Sequence, residues 1–374
     1  MKRVVVIGGT GHFGGRICRR LLSQPDIELL VTSRNQARAQ TFIDKLGQHG
    51  STTGLTAAAL DQSASSFTGD LTALAPDIVI HTAGPYQGQD YRVARACLEA
   101  GSHYIDLADG RDFVEGFDVL HKEAEQKDLL FVSGASTLPG ISSAVVDSLR
   151  DRFAQIDAIE TSIAPAHQTP RGTSTVAAVL SYCGTPFQVL EEGGWTTQYG
   201  WQDLRRFRYP DFGSRLGAAC DVPDLGLLPE YVAGVRTVTF HAALEARWEQ
   251  LALWNMAGLS RLGLIRSWRG MVPAFQWFSE KLIGLGSQTG GMQVKISGQG
   301  EDGTPRTICW DLVAQQNHGP EIPCSPALIL ARHLLDEKID RRGAFACLGL
   351  FSLSDLDKEL ADFDVHWETD EMRR

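Results

Sequence analysis

A short apolar run, Val4 to Ile7, stops abruptly on glycine, and two further glycines follow at three-residue intervals: residues 4 to 16 read VVVIGGTGHFGGR. A β-branched run ending this way is a buried strand leaving its sheet through a tight turn. The residues after it, with Ile17, Leu21 and Leu22 three to four apart, predict a helix. Strand, glycine turn and helix together open a βαβ unit built to hold a dinucleotide. Gly8 permits the turn, Gly11 lets the backbone approach a diphosphate, and Gly14 lets helix and strand pack closely. The diphosphate then sits on N–H groups of the helix N-terminus, where the dipole favours anions. Thr10 adds a hydroxyl to this turn, and His12 and Phe13 lie in the same phosphate-facing stretch. A ligandless glycine turn is the plainer alternative, but three glycines cost conformational entropy that such a turn does not require. No Gly-Lys-Ser/Thr follows, which excludes a P-loop.

The rest of the first 150 residues repeats the rhythm. Strands are predicted at Val4 to Ile7, Leu29 to Thr32, Gly54 to Leu60, Asp77 to His81, His103 to Asp106 and Leu129 to Val132. Helices are predicted at Gly14 to Ser23, Ala37 to Leu46, Tyr91 to Ala100 and Arg111 to Lys127. Six strands alternating with helices make an α/β fold, a Rossmann-type doubly wound parallel sheet. After residue 150 the pattern turns to Pro- and Gly-broken segments, with a strand from Arg236 to Leu244 and a hairpin from Met292–Ser297 and Thr307–Ala314, the mark of a second, α+β domain. Beyond Pro323, SPALILARHLLDEKI predicts an amphipathic helix.

Which dinucleotide is bound depends on the end of the second strand. An NAD-selective fold places an acid there to accept from the ribose 2′-hydroxyl. Here the strand ends LLVTSRN, with Ser33 and Arg34 in that position. A guanidinium pairs with a 2′-phosphate and a serine hydroxyl donates a further hydrogen bond, so NADP(H) is the expected cofactor. A solvated arginine at a strand end is the alternative.

Two stretches, DIVIHTAGPYQGQDYRVARACLEAGSHYIDLADGRD at 77 to 112 and SGASTLPGISSAVVD at 133 to 147, resemble the saccharopine dehydrogenase-like oxidoreductases. PRGTSTVAAVL and the Gly-Ser-Arg-Leu stretch at 213 to 216 resemble the same family more loosely. The resemblance implies a Rossmann domain over 1 to 150 completed by 318 to 374, with 151 to 317 inserted as a substrate and dimerisation domain. It also implies that the Ala83-Gly84-Pro85-Tyr86 loop lies along the cofactor toward the nicotinamide ribose, which agrees with ligands binding beyond the carboxyl ends of strands. A homodimer is expected. No glutamate- or lysine-carboxylate clamp of a true saccharopine enzyme is recognisable, so the substrate is left as a small or medium metabolite presenting an imine, carbonyl or double bond.

Hydride transfer belongs to the cofactor, and the protein must align the reactants and handle a proton. Asp109 is the first candidate for that proton, or for binding an amino group, and Tyr86 the second, with Asp106, Arg111 and Ser136 also at strand ends. Asp109 serves equally well as an N-cap for the helix after it. His81 and His103 read as satisfied core histidines; His167 and Arg171 read as loop residues that could face the substrate. No His/Cys/Asp/Glu cluster has metal-ligand spacing, and no Tyr is followed by Lys four positions later, which removes the short-chain dehydrogenase pair. The competing reading is a dinucleotide-binding redox sensor or scaffold without turnover.

Charge and composition narrow the partners. In 374 residues, 35 Lys and Arg stand against 45 Asp and Glu, a net charge of -10 that argues against nucleic acid. Seven dispersed cysteines and no signal-peptide core point to a reducing, cytoplasmic setting. The Leu-, Trp- and Phe-rich stretch at 251 to 292 is interrupted by Arg261, Arg266, Arg269, Glu280 and Lys281 before it could span a bilayer, so a buried helical pair or subunit contact is expected and interfacial membrane attachment is the lesser alternative.

Overall fold

Val4, Val5 and Val6 are fully buried because their strand runs through the middle of a parallel sheet with helices on its faces. In the computed structural model, which describes residues 1–47, 54–170 and 172–372, the chain divides into two units: 1–140 with 321–359, and 141–320 with 360–374. Elements of the first unit are numbered here in chain order. Its sheet contains β1 (Lys2–Ile7), β2 (Ile27–Ser33), β3 (Leu55–Ala59), β4 (Ile78–His81), β5 (His103–Asp106), β6 (Leu130–Ser133) and β7 (Gly343–Ala346), in the order β7-β6-β5-β4-β1-β2-β3. Every pairing is parallel, with Val5 opposite Leu30 on one side and Val79 on the other. Successive strands run outward from β1 in both directions, so the switch point lies between β1 and β4.

The helices of this unit are α1 (His12–Leu21), α2 (Gln36–Gly47), α3 (Phe67–Ala73), α4 (Arg92–Ala100), α5 (Arg111–Glu115), α6 (His121–Gln126), α7 (Ser325–Leu335) and α8 (Leu353–Leu360). The single helix expected over 111 to 127 is instead three pieces, with a 3-10 turn over Gly116–Leu120. Gly116 is a poor helix former, and a Cβ there would come within 2.8 Å of the Tyr91 hydroxyl. The tighter turn rotates Phe117 and Leu120 fully into the core.

The chain returns to this unit at residue 321. β7 extends the sheet beside β6, with Gly343 opposite Leu130 and Ala346 opposite Ser133. A chain of ion pairs ties the returning segment to α1. Arg16 Nε is 2.9 Å from Glu321 Oε1, Arg20 Nη2 is 2.7 Å from Glu359 Oε1, and Arg332 Nη1 is 3.3 Å from Glu359 Oε2. The boundaries differ from those read in the sequence. Residues 141–150 belong to the second unit, where the Tyr231 hydroxyl donates to Asp147 Oδ2 at 2.7 Å. Residues 360–374 belong there too, because Val365–Met372 pairs antiparallel with Pro305–Ala314.

The second unit is built on a nine-stranded mixed sheet. The expected hairpin is present and longer than predicted, Gly290–Gln299 against Pro305–Ala314, and Gln155–Ala164 pairs with its first arm. Trp310 is buried at its centre. Of the two expectations for the apolar stretch, the helices Arg247–Arg261 and Val272–Leu282 do not form a buried pair within the chain, while the subunit contact concerns a second copy. No residue of the second helix is buried, and Leu253 and Ala257 are the apolar residues that the first one buries. Apolar content predicts burial only if other elements cover the face, and the helix Thr173–Ser181, which meets Val272–Leu282 where Thr173 Oγ1 donates to Gln276 Oε1 at 2.8 Å, leaves Trp277 and Phe278 exposed.

Candidate cofactor-binding and active site

The glycine turn is set by backbone geometry. Gly8 has φ +77°, a conformation that side chains oppose, and Gly11 N–H donates to Gly8 O at 2.8 Å to close the turn. Helix α1 starts at once, Gly15 N–H donating to Gly11 O at 2.9 Å. A Cβ on Gly14 would stand 2.3 Å from Gly8 O and 2.6 Å from Thr82 Oγ1, so this position accepts nothing larger. Thr82 closes the same corner, its hydroxyl donating to Ile7 O at 2.8 Å.

The N-terminus of α1 fits a diphosphate. Its first turn holds no acid, Gly11 at its N-cap is exposed, and among the described residues no side chain caps it. Its leading N–H groups and positive dipole end are thus presented to solvent. Thr10, His12 and Phe13 are all partly accessible around it. Partial burial, and then the charge of Arg16, push the His12 imidazole down to about 4, so it is neutral at pH 7.

At the end of β2 the partly exposed Ser33 hydroxyl accepts from Asn35 N–H at 3.4 Å and retains its own proton to donate. Arg34 is exposed and followed by Asn35, whose Oδ1 accepts from Ala37 N–H at 2.8 Å at the start of α2. Asp61, beyond β3, carries hydrogen bonds from Ser63 that hold its carboxyl low, and the charge of Arg34 contributes in the same direction. The sequence reading did not single out Asp61. It stands in a polar Asp-Gln-Ser stretch that looks like any loop.

On the other side of the switch point, the loop after β4 carries Ala83, Gly84, Pro85 and Tyr86, with a cis peptide between Gly84 and Pro85. Gln89 Nε2 holds it from behind, donating to Ala83 O at 3.1 Å and Pro85 O at 2.6 Å. Ala83, Gly84 and Pro85 are accessible, whereas Tyr86 turns inward: 4% exposed, its hydroxyl donating to His81 O at 2.7 Å and its ring against His81 and Phe113. Burial raises the Tyr86 phenol well above its ordinary value, with Asp106 and Asp109 adding to the effect.

Asp109 follows β5 and reaches solvent, yet protein crowds it closely enough to raise its carboxyl above the usual range. Gln87 Nε2 donates to its Oδ1 at 3.1 Å. The alternative N-cap role is not taken up, since Gly110 occupies that position of α5. The structure therefore brings Asp109 beside the loop after β4 through Gln87, a partner the sequence reading missed because nothing in a Tyr-Gln-Gly turn marks it. Ser136 is partly accessible after β6, and Arg111 pairs with Glu115 at 2.7 Å along α5.

Beneath these loops lies a buried polar network. His81 Nδ1 meets the Tyr104 hydroxyl at 3.0 Å and its Nε2 meets Gln62 Oε1 at 3.0 Å, while Asp106 Oδ1 accepts from Ser133 Oγ at 3.1 Å and Gly134 N–H at 2.8 Å. Burial raises Asp106 to about 6 and lowers His81 to about 4. His81 is thus a satisfied core residue, as expected, whereas His103 is partly exposed and accepts from Leu130 N–H at 2.9 Å. A buried imidazole kept neutral stabilises the fold above pH 6.5, and that stability drains as pH falls from 6.5 toward 4, since only the unfolded chain takes up the proton. Thermal melts at stepped pH should therefore show the stability gap between wild type and His81→Gln narrowing over that window by about 1.4 kcal/mol per pH unit. A constant gap would show that His81 titrates normally.

In the second unit His167 is buried, its Nε2 2.9 Å from Leu282 O and its N–H donating to Glu245 at 3.0 Å, a loop-holding role. Arg215, from the Gly-Ser-Arg-Leu stretch, is buried and donates to Pro165 O and Thr289 O. Arg171 lies outside the described residues. Among the described residues no group of His, Cys, Asp and Glu could hold a metal ion.

Residues 4–132 match the family described as the saccharopine dehydrogenase NADP binding domain. A stretch of 124 residues is 31% identical to the trans-acting enoyl reductase of Mycobacterium ulcerans (strain Agy99), covering 32% of this chain and 29% of that protein. The fold as a whole is similar to that of the apo saccharopine dehydrogenase (L-Glu forming) of Saccharomyces cerevisiae, with a TM-score of 0.69 over 100% of each chain at 15% identity. The glycine turn, the uncapped α1 and the loop after β4 all fall inside the matched residues, and the chain thus carries, over residues 4–132, an NADP-binding domain of the saccharopine dehydrogenase type.

Proposed function

We propose that the chain is an NADP-dependent oxidoreductase acting on a small or medium-sized metabolite with a reducible imine, carbonyl or double bond. The observation that carries this reading is the acid-free, uncapped N-terminus of α1 at the switch point of a parallel sheet, with Arg34 at the end of β2. The α1 amides hold the diphosphate, Ser33 and Arg34 hold the 2′-phosphate, and the accessible Ala83-Gly84-Pro85 loop lines the path to the nicotinamide ribose. Nicotinamide, when bound, supplies or accepts the hydride.

Asp109 holds the proton. Its raised carboxyl keeps the protonated form available closer to neutral pH, and Gln87 fixes one oxygen so that the other is free to face substrate. Tyr86 is assigned to positioning, because its hydroxyl is already committed to His81 O inside the unit. The saccharopine dehydrogenase and enoyl reductase named above act on chemically different substrates, which supports the reaction class and leaves the substrate open.

Titration calorimetry with NADPH and NADH is the direct test. Arg34→Ala should weaken NADPH by roughly 10- to 100-fold, the loss of one charge-assisted contact, and leave NADH nearly unchanged. Equal loss for both would remove Arg34 from the 2′-phosphate, and absence of heat with either dinucleotide would sink the whole reading. With NADPH binding in hand, its oxidation against a panel of keto acids with amines, aldehydes and enones separates turnover from ligand sensing.

A further inference from the structure

Ten of the fourteen large apolar side chains exposed among the described residues lie between Arg247 and Leu285 in the second unit. Helices Arg247–Arg261 and Val272–Leu282 meet where the rings of Trp248 and Phe278 pack edge to face at 5.7 Å, and both rings remain open to solvent, so their outer surfaces are continuous. The connection between them reads Arg-Leu-Gly-Leu-Ile-Arg-Ser-Trp-Arg over 261–269. Leu262 and Leu264, just after the first helix, are 74% and 68% exposed, and Trp268 Nε1 donates to Ser260 Oγ at 2.8 Å, fastening the loop to that helix.

The charge of this face is opposite to that of the chain. Arg247, Arg261, Arg266, Arg269 and Lys281 are exposed, whereas Glu249 is buried and Glu280 is the exposed acid of the segment. A basic, apolar surface on a chain of net charge -10 is built for an acidic, apolar partner. A second copy of the same face fits less well, because a self-association would bring two surfaces of the same positive sign together. A bilayer with anionic headgroups offers both properties at once: acyl chains for leucine and tryptophan, and phosphates for the arginines around them. No described helix is long and apolar enough to cross a membrane, so contact would be from one side only.

We propose that this face docks on anionic lipid bilayers, with Leu262 and Leu264 entering the headgroup–acyl boundary and Arg266, Arg269 and Lys281 on the lipid phosphates. The test is sedimentation of the full chain with phosphatidylcholine vesicles, with and without about one third phosphatidylserine, at low and high salt. The chain should pellet with the anionic vesicles at low salt. Leu262→Asp with Leu264→Asp, at exposed positions where melting should be unchanged, should lower partitioning at least about tenfold. Arg266→Gln with Arg269→Gln and Lys281→Gln should reduce binding to the level seen on neutral vesicles and abolish its salt dependence. No pelleting with anionic vesicles at low salt, or equal pelleting of the leucine variant, overturns the proposal. So does sedimentation velocity showing a dimer that the leucine variant splits, which would assign the face to a second copy.

Discussion

Gly14→Ala should lose NADPH binding by at least about a hundredfold and lower stability by roughly 1–3 kcal/mol. The added methyl would sit 2.3 Å from Gly8 O and 2.6 Å from Thr82 Oγ1, and the first of these is backbone that no rotamer change can move. Helix α1 must back away from the β1 turn, and its leading amides go with it. Losing two charge-assisted hydrogen bonds, each about 1.5–3 kcal/mol, accounts for the affinity change. Gly11→Ala is the informative contrast. Its Cβ would meet Gly8 O alone, at 3.0 Å, on an exposed residue, so the fold should hold while the ligand's approach is hindered. Calorimetry and thermal melts on both variants separate the two effects. A Gly14→Ala protein with wild-type affinity and melting temperature would show that the close approach of α1 to the turn is unnecessary.

Glu359→Ala should lower stability by about 3 kcal/mol, the low end of what stripping one partner from a buried ion pair costs. Glu359 and Arg20 are only 5% and 10% exposed at the side chain, and Glu359 also receives Arg332. Its removal takes from Arg20 one of two carboxylates, Glu321 remaining at 3.5 Å, and from Arg332, 32% exposed, a carboxylate that water partly replaces. For a unit of this size the loss corresponds to a fall in melting temperature of roughly 10 °C. Glu359→Gln keeps the volume and an acceptor, so it should recover part of the loss. Equal melting of wild type and Glu359→Ala would mean that the returning segment is held by apolar contacts alone.

The first strand, its glycine turn and α1 were legible because strand, turn and helix each need a distinctive residue type: β-branched Val4 to Val6, then Gly8, then the Ile17 and Leu21 stripe. β5 was placed to the residue for the same reason. β7 was not, since Gly-Ala-Phe-Ala has little strand propensity of its own and is extended only because β6 offers an edge to pair with. α3 was overlooked in a stretch of Ser and Thr, where Phe67 and Leu71 alone point inward. The apolar stretch at 251 to 292 was legible as helix but not as a buried pair, since periodicity says which side is apolar and not what covers it. At the candidate site, the geometry of the glycine turn follows from turn chemistry, whereas the pairing of Gln87 with Asp109 joins two loops 22 residues apart that only the sheet order brings together.

The position of β7 bears on how the chain matures during synthesis. Until residues 343–346 leave the ribosome, the outer side of β6 is a bare row of amides and carbonyls, and Arg20 has no Glu321 or Glu359 to meet. The nucleotide-binding half therefore emerges early and is sealed late, after residues 141–320 of the second unit have been translated. Nascent or prematurely terminated chains should be markedly more prone to strand-to-strand self-association and to chaperone capture than the finished protein.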